Sequence, residues 1–104
     1  MREICLARLD KTRPVLVLTR NLARAAMSKV TVAPVTSTTK GLSSEVRLGS
    51  ENGLDHDCVA AIDNVVTIPV TSLGKTIGFL MPKQEQELAQ AIVLAYDLDI
   101  PLLY

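Results

Sequence analysis

Short segments rich in β-branched residues recur along the first 80 positions of the chain. Some are continuous apolar runs, as in strands buried on both faces, and others alternate apolar with polar residues, as in half-exposed strands. Segments rich in Asp, Asn, Gly and Ser separate them and are typical of turns. We predict strands at Glu3–Leu9, Pro14–Thr19, Lys29–Val35, Glu45–Leu48, Cys58–Ile62 and Val65–Ile68.

The connections between these strands are less regular. Arg20–Ser28 is predicted to be a single helical turn or a loop. Asp63-Asn64 is typical of a turn or bulge, and we expect its side chains to turn inward at a strand kink. Pro69–Leu73 is predicted to be a turn, followed by a short piece that ends at Leu80.

The C-terminal quarter changes to a helical period. Pro82 suits the first position of a helix, and Glu85 and Glu87 fall in its opening turns, where the macrodipole favours acidic side chains. One apolar stripe follows at helical spacing, with Gln84, Glu87 and Gln90 largely off it. The stripe consists of Leu88, Ala91, Ile92, Ala95 and Tyr96.

The fold class predicted from these elements is mainly β (α+β). We expect a small, closed or nearly closed antiparallel barrel capped by the C-terminal helix, with residues 1–104 forming a single domain. Apolar residues make up 48% of the chain but aromatic residues only 3%. The chain can therefore bury one small aliphatic core, and it offers no aromatic platform for stacking RNA bases.

Charge is unevenly distributed although the formal net charge is zero. Residues 1–47 carry nine Lys or Arg against three Asp or Glu, a net charge of +6, and residues 48–104 carry −6. This asymmetry indicates a basic surface that meets phosphates or an acidic partner, unless the charges only solvate the surface.

The two cysteines and the single histidine do not form a metal-binding pattern. Cys5 and Cys58 are far apart, with no clustered ligand near either, so we expect two small buried thiols, no metal site and no cofactor. The sequence also shows no leader and no apolar run long enough to cross a membrane. We therefore expect a soluble, cytoplasmic protein.

Two strand ends carry candidate chemistry. Arg13-Pro14 stands before the apolar run Val15–Thr19, and Val32–Ser37 repeats the pattern with Pro34 followed by hydroxyls. A guanidinium and hydroxyls held at two strand ends are suited to bind an anion such as a phosphate. Arg13 is suited to supply positive charge there, because stabilising an anion is easier for a guanidinium than donating a proton.

Other side chains complete the candidate set. Thr36 and Ser37 are suited to bind phosphate oxygens, and Asp63 to take or relay a proton; Glu45 and His56 are the other acid–base candidates. Each also has a purely structural interpretation, as a surface charge, a satisfied strand end or an Asx turn. We expect His56, between Asp55 and Asp57, to be a solvent-exposed loop residue without a chemical role.

These motifs together resemble the MazF/PemK family of toxin endoribonucleases. The segments RPVLVLT and VAPVTS are similar to the family's most recognisable stretches, and further similarity extends over nearly the whole chain. It includes Gly53-Leu54, Asp57-Cys58-Val59, Asp63-Asn64, Thr67-Ile68 and Ile77–Leu80. The resemblance implies an SH3-like barrel of the CcdB/PemK type with a C-terminal helix.

The resemblance also implies site residues. Arg13 takes the place of the family's catalytic arginine and Thr36 that of its active-site threonine, and Asp63 is the third catalytic candidate. Pro14, Ser37, Thr38, Lys40 and Lys11 are expected to bind substrate. The chain departs from the family in having only Asp10-Lys11-Thr12 between the first two strands and Ala61 where a PemK-like arginine stands, which leaves the general acid and base open.

The implied function is that of a toxin of a type II toxin–antitoxin system. It would cut single-stranded RNA at a short sequence without a metal, leaving a 2′,3′-cyclic phosphate and a 5′-hydroxyl. A homodimer and a MazE-like antitoxin with an acidic tail are the implied partners. The alternatives are a CcdB-like gyrase poison on the same fold and a binding module without activity.

Overall fold

The computed structural model describes residues 1–20 and 26–99, which form seven strands and one α-helix. The strands are β1 (Glu3–Arg8), β2 (Thr12–Val17), β3 (Lys29–Thr36), β4 (Glu45–Leu48), β5 (Cys58–Ala61), β6 (Val66–Pro69) and β7 (Leu73–Phe79), and the helix is α1 (Pro82–Ala95). Short 3-10 turns lie at Ser50–Asn52, Ile62–Asn64 and Val70–Ser72. All six predicted strands are confirmed, with ends that differ by no more than two residues.

The strands form one antiparallel sheet in the order β4-β5-β3-β2-β1-β7, and β6 pairs with β3 beside this path. The sheet curls into a half-barrel, which confirms the predicted mainly β fold with a C-terminal helix. Pro34 lies in β3 where the partner strand changes, since Val32 pairs with β6 and Val35 with β5. A residue without an N–H is tolerated at such a break in the ladder.

Both faces of the central strands are buried, which explains the continuous apolar run in β2. Ile4, Leu16 and Ala33 face the inside of the curl, where they pack in a cluster with α1 residues Leu88 and Ala91. A second cluster on the opposite face contains Cys5, Ala7, Val15, Val17, Val30, Val32 and Ile68. Close packing on both faces holds strands β1, β2 and β3 rigidly in place. The ends of β2 and β3 therefore have fixed positions.

The helix begins at Pro82, as predicted, and a side chain of its first turn caps the N–H of the preceding residue, Met81. Gln84, the third helical residue, accepts a hydrogen bond from the Met81 N–H at 2.9 Å. Leu88 and Ala91 are buried, which confirms the core of the predicted stripe. Tyr96 is 55% exposed and lies beyond the helix, so its inclusion in the stripe was wrong.

Other expectations need correction. The predicted turn at Pro69–Leu73 is confirmed by the 3-10 turn Val70–Ser72, but the short piece expected after it is a full strand, Leu73–Phe79, that pairs with β1. Asp63 and Asn64 form the predicted break between strands, but both side chains are exposed.

Residues 21–25 of the segment Arg20–Ser28 and the apolar tail 100–104 lie outside the described residues. Within residues 1–20 and 26–99 no helix is long and apolar enough to span a membrane.

Candidate active site

Arg13 and Thr36 meet at the point where β2 and β3 stop pairing. The register pairs Val15 with Pro34 and Leu16 with Ala33, so two residues further along Arg13 lies beside Thr36. Both residues line a cleft of about 230 Å³. Lys11, Pro14, Ser37, Leu54 and Cys58 also line it, together with Asp55 and His56. The cleft therefore unites two sequence-predicted catalytic residues with three of the five predicted substrate-binding residues.

The guanidinium of Arg13 is held from one side only. Its Nη2 donates to the carboxylate of Asp10 at 2.9 Å across the β1–β2 turn. Its Nε is buried, and among the described residues it is the one buried side-chain nitrogen or oxygen without a hydrogen-bond partner. An unsatisfied buried donor costs about 1–3 kcal/mol, and such groups in native structures are often functional. Arg13 thus keeps donor capacity that the rest of the protein does not use.

Thr36 is fixed by a local hydrogen bond that leaves its own proton available. Its Oγ1 accepts from the Thr38 N–H at 3.1 Å, an arrangement that turns the chain at the end of β3. A hydroxyl that accepts one hydrogen bond still donates another. Thr36 can therefore donate to an oxygen in the cleft. Thr38 and Lys40 are exposed on the following loop and do not line this cleft.

His56 and Asp55 enter the same cleft from the loop before β5, about twenty residues along the chain from Thr36. The Nδ1 atom of His56 is hydrogen-bonded to an Asp55 carboxylate oxygen. The His56 side chain is 59% exposed, which confirms the expected solvent exposure. No local sequence pattern indicates that this loop faces Arg13, because the contact depends on how β5 pairs with β3.

A buried polar network anchors the base of this loop. Asn52 is completely buried; its Oδ1 accepts from the Gly49 N–H at 3.1 Å and its Nδ2 donates to the Phe79 carbonyl at 2.9 Å. Its Nδ2 also donates to Gln84 Oε1 at 2.7 Å, and Gln84 Nε2 donates to the Arg47 carbonyl at 3.0 Å. The network joins the loop to β4, β7 and α1. Gln84 was expected to lie off the apolar stripe, and its burial was not predicted.

Close backbone packing adds to this anchor. A Cβ at Gly78 would lie 1.8 Å from the Asn52 carbonyl oxygen, and a Cβ at Gly53 would lie 2.1 Å from the Ile77 carbonyl oxygen. Gly53 also has a φ of 83°. Both positions therefore require glycine, and the loop that carries His56 rests directly on β7.

Cys58 lies in the floor of the cleft as a neutral thiol. Burial raises its pKa, and the nearby carboxylates of Asp57 and Asp55 raise it further. A thiol that stays protonated is a poor nucleophile and a poor base. Both cysteines are buried, as predicted.

Asp63 is not brought to this cleft. It follows the end of β5 opposite to Cys58, and its carboxylate accepts a hydrogen bond from the Ser44 hydroxyl. Its contacts tie the loop before β4 to the 3-10 turn after β5. Within the described part of the chain, no three His, Cys, Asp or Glu side chains lie close enough together to hold a metal ion.

A larger groove of about 590 Å³ adjoins the cleft along β4 and β5. Cys58 lines both cavities. The groove contains Arg47 but also Glu45, Glu51 and Asp57. The basic N-terminal half therefore supplies Lys11 and Arg13 to the cleft, while the groove beside it carries both signs of charge.

The fold and the cleft together describe a small, mainly β protein with an arginine beside a threonine hydroxyl at the ends of two neighbouring strands. A model of the PemK-like, MazF-like toxins of type II toxin–antitoxin systems matches residues 3–96. The chain belongs to this family.

Individual relatives agree with this assignment. Endoribonuclease MazF3 of Mycobacterium tuberculosis is 52% identical over 99 residues, which cover 95% of this chain and 96% of the relative. The solved structure of the M. tuberculosis toxin MazF-mt6 superposes with a TM-score of 0.93 at 50% identity, covering 95% of this chain and all of the other. A mycobacterial endoribonuclease solved with its cognate antitoxin shares the fold, with a TM-score of 0.84 at 23% identity and 95% coverage of both chains. These matches favour the nuclease over the CcdB-like alternative.

Proposed function

We propose that this chain is an endoribonuclease toxin that cleaves single-stranded RNA without a metal ion. The 2′-hydroxyl attacks the adjacent phosphate, and the products are a 2′,3′-cyclic phosphate and a 5′-hydroxyl. The observation that carries the proposal is the pairing of Arg13 with Thr36 in one cleft, where the arginine has a buried donor without a partner.

Arg13 stabilises the negative charge that develops on the phosphate oxygens in the transition state. Thr36 donates a hydrogen bond to one of the same oxygens, and Ser37 and Lys11 hold the flanking backbone. Pro14 shapes the cleft wall without adding an N–H. Thr38 and Lys40, on the exposed loop beside it, meet RNA that extends beyond the cleft. Asp63 does not line the cleft. It accepts a hydrogen bond from the Ser44 hydroxyl and can affect the reaction only by positioning that residue.

The proposal extends to partners and location. A MazE-like antitoxin with an acidic segment would compete with RNA for Lys11 and Arg13, in line with the related endoribonuclease solved with its antitoxin. A homodimer accounts for the exposed apolar side chains Leu94, Tyr96 and Leu98 at the end of α1. Cellular RNA as substrate implies a cytoplasmic location.

Incubation of the purified protein with total bacterial RNA in EDTA, followed by mapping of the new 5′ ends, tests the proposal. We expect cleavage at one short sequence, 5′-hydroxyl ends, and no cleavage by Arg13→Ala, whose fold is checked by circular dichroism. Cleavage that stops in EDTA and returns with Mg²⁺ would overturn the metal-independent mechanism. Unchanged cleavage by Arg13→Ala would remove Arg13 from the active site.

A further inference from the structure

We propose that His56 is a catalytic residue of the RNA cleavage reaction and acts as its general base, held in orientation by Asp55. The inference rests on the proposed function, because it names the group that removes the proton from the 2′-hydroxyl in the same cleft. The family motifs in the sequence offer Asp63, which does not line the cleft, and the pairing of Arg13 with Thr36 offers no base.

The composition of the cleft limits the choice of base. Lys11 and Arg13 carry positive charge at neutral pH and have no lone pair to offer. The raised pKa of Cys58 keeps its thiol protonated. The remaining side chains that line the cleft and can take a proton are Asp55 and His56; the Asp10 carboxylate, which reaches Arg13 from the β1–β2 turn, already accepts a hydrogen bond from Arg13 Nη2. An imidazole is the better base at neutral pH, because proton transfer is most efficient when the pKa lies near the operating pH.

The hydrogen bond to Asp55 determines which ring nitrogen is available. A carboxylate accepts from Nδ1–H, so the neutral ring carries its proton on Nδ1 and leaves the Nε2 lone pair open. The Asp55 side chain is 92% exposed, so its carboxylate orients the ring through this hydrogen bond while water screens its charge. The pair therefore presents Nε2 with the free lone pair that a general base requires.

The loop that carries His56 is also held in place. Leu54 is buried in the core beside it, and the Asn52–Gln84 network and the close contact between Gly53 and Ile77 anchor its base. A group on an anchored loop keeps a defined distance from Arg13, which an unanchored loop would not provide.

The proposed cleavage step needs no reactant other than water. Nε2 takes the 2′-hydroxyl proton as the 2′-oxygen bonds to phosphorus and the bond from phosphorus to the 5′-oxygen breaks. The 5′-oxygen takes a proton from water, and the imidazolium returns its proton to solvent. Arg13 and Thr36 hold the phosphate oxygens during this exchange.

The test is a pH–rate profile under single-turnover conditions, with an RNA oligonucleotide built around the mapped cleavage site. Wild-type cleavage should rise from acidic to neutral pH, because a general base acts in its neutral form and His56 is the one histidine of the chain. The titratable and charged groups around it are Lys11, Arg13, Asp55, Asp57 and Cys58. A His56→Gln variant keeps every one of these groups, so loss of the rising limb in that variant assigns the limb to the histidine.

His56→Gln should lower the single-turnover rate about a hundred-fold or more and remove the rising limb. Its affinity for the same oligonucleotide with a 2′-deoxy cleavage position, which cannot react, should change less than threefold. Asp55→Asn should keep the rising limb and lower the rate by less than His56→Gln does, because the asparagine oxygen still accepts from Nδ1–H but carries no charge. Asp99→Asn, an exposed carboxylate after the helix, is the matched control and should leave the limb in place.

A His56→Gln protein that is folded by circular dichroism and keeps the wild-type rate and limb overturns the role of His56 while the proposed function stands. A second contrary result is a His56→Gln protein that loses affinity for the 2′-deoxy oligonucleotide while its pH–rate profile keeps the rising limb. That result would make His56 a binding residue and would equally overturn the proposal. A wild-type chain that leaves every RNA uncut overturns both the proposed function and the role of His56 as its base.

Discussion

Asn52→Ala should destabilise the protein strongly, because it removes the centre of a buried polar network. The asparagine is completely buried, and its side chain satisfies the Gly49 N–H and the Phe79 carbonyl while it exchanges two hydrogen bonds with Gln84. After truncation Gln84 keeps partners at Met81 and Arg47, but the two backbone groups lose theirs. Each orphaned group costs about 1–3 kcal/mol, so the expected loss in unfolding free energy is about 4 kcal/mol.

The assay is urea denaturation followed by circular dichroism, with the midpoint and slope fitted for each variant. Asn64→Ala is the matched control, because Asn64 is an exposed asparagine in another 3-10 turn; its expected change is within about 0.5 kcal/mol. Cleavage by Asn52→Ala should also fall at temperatures where the protein is still folded, since the loop that carries His56 loses its anchor. Equal, small destabilisation by both substitutions would refute the reasoning about the network.

Three further predictions concern the site and the assembly. Arg13→Lys should lower cleavage about a hundred-fold while the fold survives, because lysine keeps the charge but loses the planar fork that holds two oxygens; a variant as fast as wild type in the oligonucleotide assay contradicts the role of Arg13. Thr36→Val should impair cleavage more than stability, whereas Thr39→Val in the exposed loop should do little to either, as measured by initial rates and urea midpoints. Sedimentation at micromolar concentration should show a dimer, and a monomer with full activity would make the dimer unnecessary.

The strands were predictable from the sequence where the signal is local. Val15-Leu16-Val17 is a continuous apolar run because both faces of β2 are buried, and that pattern needs no partner to be recognised. β7 was missed because Gly74, Lys75 and Gly78 weaken its strand propensity, and it forms by pairing with β1. Tyr96 continues the helical period beyond the point where α1 ends.

The candidate site was predictable only in part. Arg13 and Thr36 came from strand-end motifs and family resemblance, and the β2–β3 register brings them together. His56 was named as an acid–base candidate but expected to have no chemical role, and the burial of Gln84 was missed. The surroundings of both depend on residues far away in sequence: Gln84 meets Asn52 across 32 positions. A polar residue of an amphipathic helix looks solvent-exposed until its partner is known.

Within the protein, the carboxylate of Asp10 occupies the position beside Arg13 that the proposed function gives to a phosphate of the RNA. Asp10 holds the Arg13 guanidinium, but the Asp10 side chain is 72% exposed whereas that of Arg13 is 25% exposed. An ion pair with so exposed a partner contributes less than about 1 kcal/mol, so a phosphate can displace Asp10 at little cost. Under the proposed function, the short β1–β2 turn keeps Arg13 paired and oriented before RNA binds, and Arg13 then exchanges the Asp10 carboxylate for a phosphate of the RNA.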